Sequence, residues 1–464
     1  MHNGKPHFFV GIGGSGMMPL AMILAGQGVK VAGSDRSLDS GRLPAKFDAL
    51  RKLGIDLFAQ DGSGIVSPNQ VVIASAAVED TVPDMVQAAS LGCARMTRAE
   101  LNAKLFNAAP LSIGVAGTSG KSTVTGMIAW ILHSLDRDPT VMNGAVMKNF
   151  VRPEAPFASA LVGGGDLYVS EVDESDGSIA LYTPHVAVLN NVSLDHKSLE
   201  ELRSLFGDFA AKARTTIVNI GDPESAELAR ALDPARTRTF AVDTDADLSA
   251  RNLSPEPFAV SFDLIMDGVT RSIRLSVPGT HNVANALAAI GACIAAGLEP
   301  DSVCTAIQGF TGLRRRFELV GAANGVAVID DFGHNPDKIG ATLDTLHAFP
   351  GRILALFQPH GYGPLKVMRS ELVAMFAEKL SAGDQLILPD PVYQGGTVAR
   401  EVTSAHIIAD IAATGRDARH IPDRAAAAAH LAAIAQPGDR IVIMGARDDT
   451  LSLLAQSVLD DLER

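Results

Sequence analysis

Gly117-Thr118-Ser119-Gly120-Lys121-Ser122-Thr123 is the stretch on which the reading of this chain turns. It follows an apolar run at 112–116 and precedes a helical pattern at 124–132, so strand, glycine loop and helix succeed one another. Backbone N–H groups in such a loop can cradle phosphates, Lys121 can neutralise them, and the Ser122 hydroxyl can hold Mg²⁺. The strict phosphate-loop pattern wants glycine at position 115, where this chain has Val115. A lysine–hydroxyl pair at a strand-to-helix junction is still hard to explain as packing, because an apolar core has no use for either group. The spacing therefore predicts a triphosphate clamp.

A second glycine loop stands near the N-terminus. Gly11-Ile12-Gly13-Gly14-Ser15-Gly16 fits GxGxxG between a short apolar strand at 7–10 and a helix at 17–25. Asp35 follows Gly16 by 19 positions, at the end of the next strand. Bare glycines let the backbone approach a diphosphate, a helix N-terminus offers free N–H groups, and the carboxylate can reach a sugar hydroxyl. Taken alone this spacing says nucleotide, with NAD or FAD as the default, or else a tight turn that packs helix on sheet. Two phosphate loops in one chain change that. A simple dehydrogenase has no need of a triphosphate clamp, so an ATP-driven reaction on a second phosphorylated substrate is expected.

Between and beyond these loops lie further candidates. Glu171-Val172-Asp173-Glu174-Ser175-Asp176 ends an apolar strand with four carboxylates in six residues. It reads either as a solvated acidic turn or as oxygen ligands completing the coordination of a hard cation begun by Ser122. His196, in Asp195-His196, follows the strand at 186–190 and is a candidate ligand in that company. Lys212 lies three beyond Phe209 on a helical stripe that includes Leu202, Leu205 and Phe206. Its ammonium either snorkels outward or reaches the phosphate site.

The remainder of the chain sets the frame. Its 464 residues suit about three domains at ~100–200 residues each. A proline at 110 and a break near 309–313 divide it into 1–107, 108–311 and 312–464, each with the strand–helix alternation of a parallel sheet. The stretch 258–277 alternates as a hairpin turning at Asp267-Gly268. A formal charge of −13 argues against a nucleic-acid coat. Three cysteines without CxxC spacing build neither a disulfide framework nor a cysteine metal site. Residues 1–6 lack the apolar core of a signal peptide. The longest apolar run, 283–298, is interrupted by Asn285 and is too short to span a bilayer. A cytoplasmic enzyme is the expectation, without nucleic acid and without membrane insertion; its oligomeric state is open.

In order along the chain, GIGGSGM, GTSGKST, EVDESD, NNVSLDH, PGTHNVANALAA, GLRRRFE and DDFGHNP resemble the motifs of the Mur ligases of peptidoglycan synthesis. GIGGSGM, SDRS, Arg98-Ala99-Glu100 and FQPHGY look most like the branch that joins L-alanine to UDP-N-acetylmuramate. The resemblance implies an α/β chain of three parts: an N-terminal Rossmann-like domain, a central P-loop ATPase-like domain and a C-terminal Rossmann-like domain. It implies an ATP- and Mg²⁺-dependent amide ligase that converts a UDP-muramyl carboxylate to an acyl phosphate, which an amino acid then attacks. Carried onto this sequence, Gly11, Gly13, Gly14, Ser15, Gly16 and Asp35 would hold the UDP substrate. Gly117, Thr118, Ser119, Gly120, Lys121, Ser122 and Thr123 would hold ATP. Ser122, Glu171 and His196 would bind Mg²⁺, and Asn282 would contact adenine. Arg316 would reach the phosphates or ribose, Asp331 the ribose, and His334 would lie near the reacting groups. Lys212 would be the carbamylated lysine that some members carry. The chain departs from the alanine-adding branch at Asn335 in His334-Asn335-Pro336, at Gly361 after the QPH histidine, and at 445–449. All three departures fall where the amine would be read.

Overall fold

The residue pattern of the first hundred positions resolves into a five-stranded sheet in the computed structural model, which describes residues 4–76, 78–193, 197–392, 400–446 and 448–464. The spatial order is Asp56–Phe58, Val31–Ser34, His7–Val10, Val71–Ala74 and Ala94–Thr97. Every pairing is parallel. His7–Val10 is buried along its whole length, which is why it reads as an unbroken apolar run. The chain leaves it to one side and later returns to the other, so its C-terminal end is the switch point at which open α/β sheets bind ligands. The Gly11–Gly16 loop sits there, followed by the helix Met17–Gly26.

Ten strands make the second sheet. Its order is Val269–Leu275, Ala259–Met266, Leu248–Glu256, Thr237–Val242, Thr215–Asn219, Val186–Leu189, Leu111–Ala116, Leu167–Glu171, Thr140–Met142 and Ala160–Leu161. Leu111–Ala116 lies parallel between Val186–Leu189 and Leu167–Glu171, with Val115 opposite Glu171 and Ala116 opposite Leu189. That register decides the site, because three strands finish side by side. The phosphate loop, the acidic run and Asn190-Asn191 all leave the same sheet edge. At the far end, Asp267 and Gly268 both have positive φ, 52° and 72°, as the tight hairpin predicted at that dipeptide requires.

The third sheet runs Glu318–Ala323, Val326–Asp331, Arg440–Met444, Ile353–Phe357, Gln385–Leu388 and Ala418–His420. Only its first strand is antiparallel. Apolar runs predicted the four central strands. The edge strands Glu318–Ala323 and Ala418–His420 escaped because partly exposed edges carry no continuous apolar run.

The chain divides into two compact units. One comprises residues up to Leu253, Ser261–Ser276 and His281–Gly312; the other comprises Ser254–Val260, Val277–Thr280 and Leu313–Arg464. Within the first unit the two sheets share a continuous apolar core through Phe9, Leu24, Phe106, Tyr168, Phe206 and Phe209. Among the described residues no helix is long and apolar enough to cross a membrane. The run at 283–298 is most of the helix Thr280–Ala295, apolar because it is buried.

Candidate functional site

The helix after the phosphate loop begins at Lys121, earlier than apolar periodicity placed it, and extends to Ser134. Gly120 closes the loop in the left-handed region at φ 85°. Lys121, Ser122 and Thr123 thereby form the helix's first turn, whose N–H groups have no intrahelical partner and point at whatever anion the loop holds. The N–H groups of Thr118 and Ser119 are already used, on the Asn191 carbonyl (3.1 Å) and the Asn191 Oδ1 (2.8 Å). The cradle expected from the whole stretch is therefore concentrated on its helical half.

Two pairs join the loop to the neighbouring acidic strand end. Lys121 Nζ donates to Glu174 Oε2 at 2.8 Å and to the Gly117 carbonyl at 2.7 Å. Burial acts to lower the Lys121 pKa, but Glu174, Asp173 and Glu171 together outweigh it and hold the ammonium above the ordinary lysine value. Ser122 Oγ donates to Glu171 Oε2 at 2.7 Å. A Cβ added at Gly144 would lie 2.3 Å from Glu171 Oε1, so the carboxylate occupies space that glycine leaves open. Asn143 holds the same corner by donating to the Ser122 carbonyl at 2.9 Å. A hydroxyl and a carboxylate oxygen side by side at a phosphate loop are the hard donors Mg²⁺ takes, so these residues fit that ion. The third expected ligand, His196, lies outside the described residues. Among the described residues no group of three His, Cys, Asp or Glu side chains forms a metal cluster.

At the first glycine loop, Asp35 does more than its spacing suggested. Its Oδ2 accepts the Gly13 N–H at 2.9 Å and its Oδ1 accepts the Ser37 N–H at 2.7 Å. It thus pins the loop and caps the short helix Arg36–Asp39. A Cβ at Gly16 would fall 2.8 Å from Arg98, whose guanidinium lies over the loop. Arg98 also stands 3.9 Å from both Asp173 and Asp176, linking the loop to the acidic run. Lys212 is not drawn to the phosphate loop's carboxylates: it is exposed, and its Nζ donates to the Ala180 carbonyl at 2.8 Å. Asn282 is buried on the helix Thr280–Ala295 and accepts from Asn285 at 3.1 Å.

The second unit carries the remaining candidates. Asp331 is engaged on both oxygens: Oδ1 accepts the Phe317 N–H at 2.9 Å, and Oδ2 accepts the Gly333 N–H at 3.0 Å and the Thr342 hydroxyl at 2.8 Å. Those bonds anchor the segment that bears Arg315 and Arg316. Arg316 stacks on the Phe332 ring at 4.1 Å, and Arg315 donates to the Gly445 carbonyl at 2.6 Å. His334 Nδ1 lies 3.0 Å from the Phe332 carbonyl, which can only accept, so that nitrogen carries the proton. Burial first, then the nearby charge of Lys338, brings the His334 pKa down to about 3. Asn143 is not singled out in the sequence; Arg98, Asn190, Asn191 and Asn285 stand in quoted motifs, but no role is given to them there, and the further signal for Asn285 is that it interrupts an otherwise apolar run.

Three family models match in chain order: "Mur ligase family, catalytic domain" over residues 7–109, "Mur ligase middle domain" over 115–293, and "Mur ligase, glutamate ligase domain" over 315–447. A UDP-N-acetylmuramate–L-alanine ligase of Streptomyces coelicolor is 36% identical over 476 residues, covering 99% of this chain and 98% of that one. The crystal structure of a UDP-N-acetylmuramate-alanine ligase from Thermotoga maritima superposes with a TM-score of 0.80 at 24% identity, covering 98% of each chain. A murein peptide ligase from Psychrobacter arcticus gives 0.72 at 22% identity, covering 99% of each. These two likenesses speak for the fold.

Proposed function

The chain belongs to the Mur ligase family, and on that premise we propose that it is an ATP-dependent ligase joining L-alanine to the carboxylate of UDP-N-acetylmuramate. The observation that carries this reading is the meeting, at one sheet edge, of Lys121 with Glu174 at 2.8 Å and of Ser122 with Glu171 at 2.7 Å. A carboxylate is a poor electrophile until a phosphate gives it a leaving group, and a built phosphate site beside oxygen donors suits that activation. The carboxylate oxygen attacks the terminal phosphorus of ATP and ADP leaves. The neutral amine's lone pair then attacks the acyl carbon, a C–N bond forms, and the C–O bond to phosphate breaks to release inorganic phosphate. One N–H proton passes to solvent while the amide nitrogen keeps the other.

In this scheme residues 1–107 grip the UDP diphosphate through Gly11, Gly13, Gly14, Ser15 and Gly16, a loop that Asp35 holds in shape. Residues 108–311 hold ATP, with Lys121 and the first-turn N–H groups on its phosphates and Asn282 on its adenine. Ser122, Glu171 and His196 are the residues that would hold Mg²⁺, which supplies positive charge against the phosphates. In residues 312–464, the family resemblance assigns Arg316 to the phosphates or ribose, Asp331 to the ribose and His334 to the reacting groups. The reaction is placed in the cytoplasm.

Asn335 and Gly361 favour a second reading, in which the same chemistry accepts another amino acid or a recycled peptide. One experiment covers both. The purified chain is combined with ATP, Mg²⁺ and UDP-N-acetylmuramate, and phosphate release is followed with each amine separately. Release with L-alanine alone supports the first reading, and release with another amine or a peptide the second. No release with any amine indicates a UDP-sugar-binding homologue without ligase activity and refutes both.

A further inference from the structure

Two consecutive asparagines brace the phosphate loop. They leave the end of Val186–Leu189, whose last residue lies opposite Ala116. Asn191 brackets one residue of the loop, accepting the Ser119 N–H at 2.8 Å and donating to the Ser119 carbonyl at 3.0 Å. Asn190 donates to that same carbonyl at 3.0 Å and, through the same Nδ2, to Asn285 Oδ1 at 3.0 Å. Asn285 donates onward to Asn282 Oδ1 at 3.1 Å.

The direction of this chain is forced. The Ser119 carbonyl only accepts, so Asn190 must present its NH₂; Asn285 must answer with its oxygen, which leaves its own NH₂ to face the oxygen of Asn282. The Asn190–Asn285 bond passes directly over Gly120, where a Cβ would lie 2.4 Å from Asn190 Nδ2 and 2.5 Å from Asn285 Oδ1. The loop's left-handed glycine is thus also a seat for the amide bond. Asn190, Asn285 and Asn282 are 3%, 3% and 6% exposed, and the buried Asn190 Oδ1 has no hydrogen-bond partner among the described residues. Burying amides costs stability, and an unanswered carbonyl adds to it; apolar side chains would fill the space more cheaply. The fold does not require this arrangement.

We propose that Asn190 is a positioning residue for the nucleotide, fixing the phosphate loop at Ser119 and, through Asn285, the side chain of Asn282 on its helix, so that base and phosphates are held in one register. The inference rests on the reading of Gly117–Thr123 as the ATP loop and of Asn282 as its adenine contact. Without Asn190 the two ends hold the nucleotide independently, and the terminal phosphate loses its alignment.

The test uses the full chain with Asn190→Ser, Asn282→Ala and the double variant. ADP affinity is measured by calorimetry, and kcat and KM for ATP by phosphate release. Asn190→Ser should lower kcat/KM for ATP about 30-fold, roughly what the loss of two buried amide bonds does. KM for the UDP-sugar and for the amine should stay within about twofold. Because part of the action of Asn190 passes through Asn282, the loss in the double variant should fall short of the product of the two single losses. Asn285→Ala breaks the same chain one link on and should reproduce the split if Asn190→Ser folds poorly. Losses that multiply in the double variant, or wild-type constants for both Asn190→Ser and Asn285→Ala, overturn the proposal. A wild-type chain that binds no ADP overturns the ATP reading itself, a distinct result seen before any variant is made.

Discussion

Replacing Lys121 by Met and Glu174 by Gln, singly and together, probes the pair on which the phosphate site is built. The two charges are 2.8 Å apart, with side chains 18% and 7% exposed. At an effective dielectric of about 20 their attraction is about 6 kcal/mol, much of it offset by the water both groups give up. Removing one partner leaves the other charge buried, which in comparable pairs costs ~3–5 kcal/mol. Here the two losses should differ. After Glu174→Gln, Lys121 still faces Asp173 and Glu171, so about 2 kcal/mol is expected. After Lys121→Met, Glu174 is left among like charges, and about 4 kcal/mol is expected. The double variant should lose at least ~2 kcal/mol less than the sum of the singles. Amide hydrogen exchange along the helix Lys121–Ser134 reads the local opening free energy without assuming that the whole chain unfolds in one step. In parallel, Lys121→Met should weaken ADP binding by about 100-fold. Glu174→Gln should retain ADP binding, because phosphate oxygens can replace the carboxylate as partner of the ammonium. Strictly additive losses, or ADP binding that survives Lys121→Met, would refute the reasoning.

Asp330 is pushed up to about 6 by burial, against the pull of Arg315 and of the Ser452 hydroxyl. The folded second unit therefore keeps a proton that the unfolded chain releases near ~3.9, so the contribution of Asp330 to stability is full below about pH 4 and is lost as pH rises through about 6. Asp330→Asn should flatten that fall by about 3 kcal/mol in urea titrations at several pH values, and an unchanged slope would count against it. His334, with its pKa near 3, stays a neutral imidazole: its ring resonances should not titrate above about pH 4.5, and a midpoint near 6.5 would contradict the burial argument. Gly120→Ala places a Cβ 2.4 Å from Asn190 Nδ2 at a φ of +85°. It should weaken ADP binding at least tenfold and leave UDP binding unchanged, since left-handed geometry alone costs ~1–2 kcal/mol before the clash is counted. Equal effects on both ligands would point to general unfolding.

How far the site could be read in advance varied with the kind of residue. Lys121 and Ser122 were legible because a charged and a hydroxyl residue at a strand-to-helix junction have few other uses. Glu171 was legible as a strand-end carboxylate, though nothing in its run told it apart from Glu174. Their partners differ: one takes the serine hydroxyl, the other the lysine ammonium. Asp35 was found by spacing, but its bonds to Gly13 and Ser37 are loop-shaping ones that spacing cannot reveal. Lys212 was ambiguous on its helical stripe, and the surface bond to Ala180 resolves the ambiguity outward. Asn190 and Asn285 are 95 positions apart, and no local pattern announces that their amides meet.

Local chemistry in the chain singled out the two loops proposed to hold phosphates. Glycines that free the backbone, a helix start with unused N–H groups, and a lysine beside a hydroxyl are features of a few consecutive residues, and they function wherever that stretch folds. Apolar runs likewise determined the parallel sheets, because strands buried on both faces must be apolar throughout. Tertiary structure alone decided which strands lie beside the loop. Setting Val115 against Glu171 and Ala116 against Leu189 brings carboxylates from one neighbour and asparagines from the other to a single edge. Strand order is a property of long-range pairing, and hydrogen bonds between backbones leave no mark on the side chains that sequence displays.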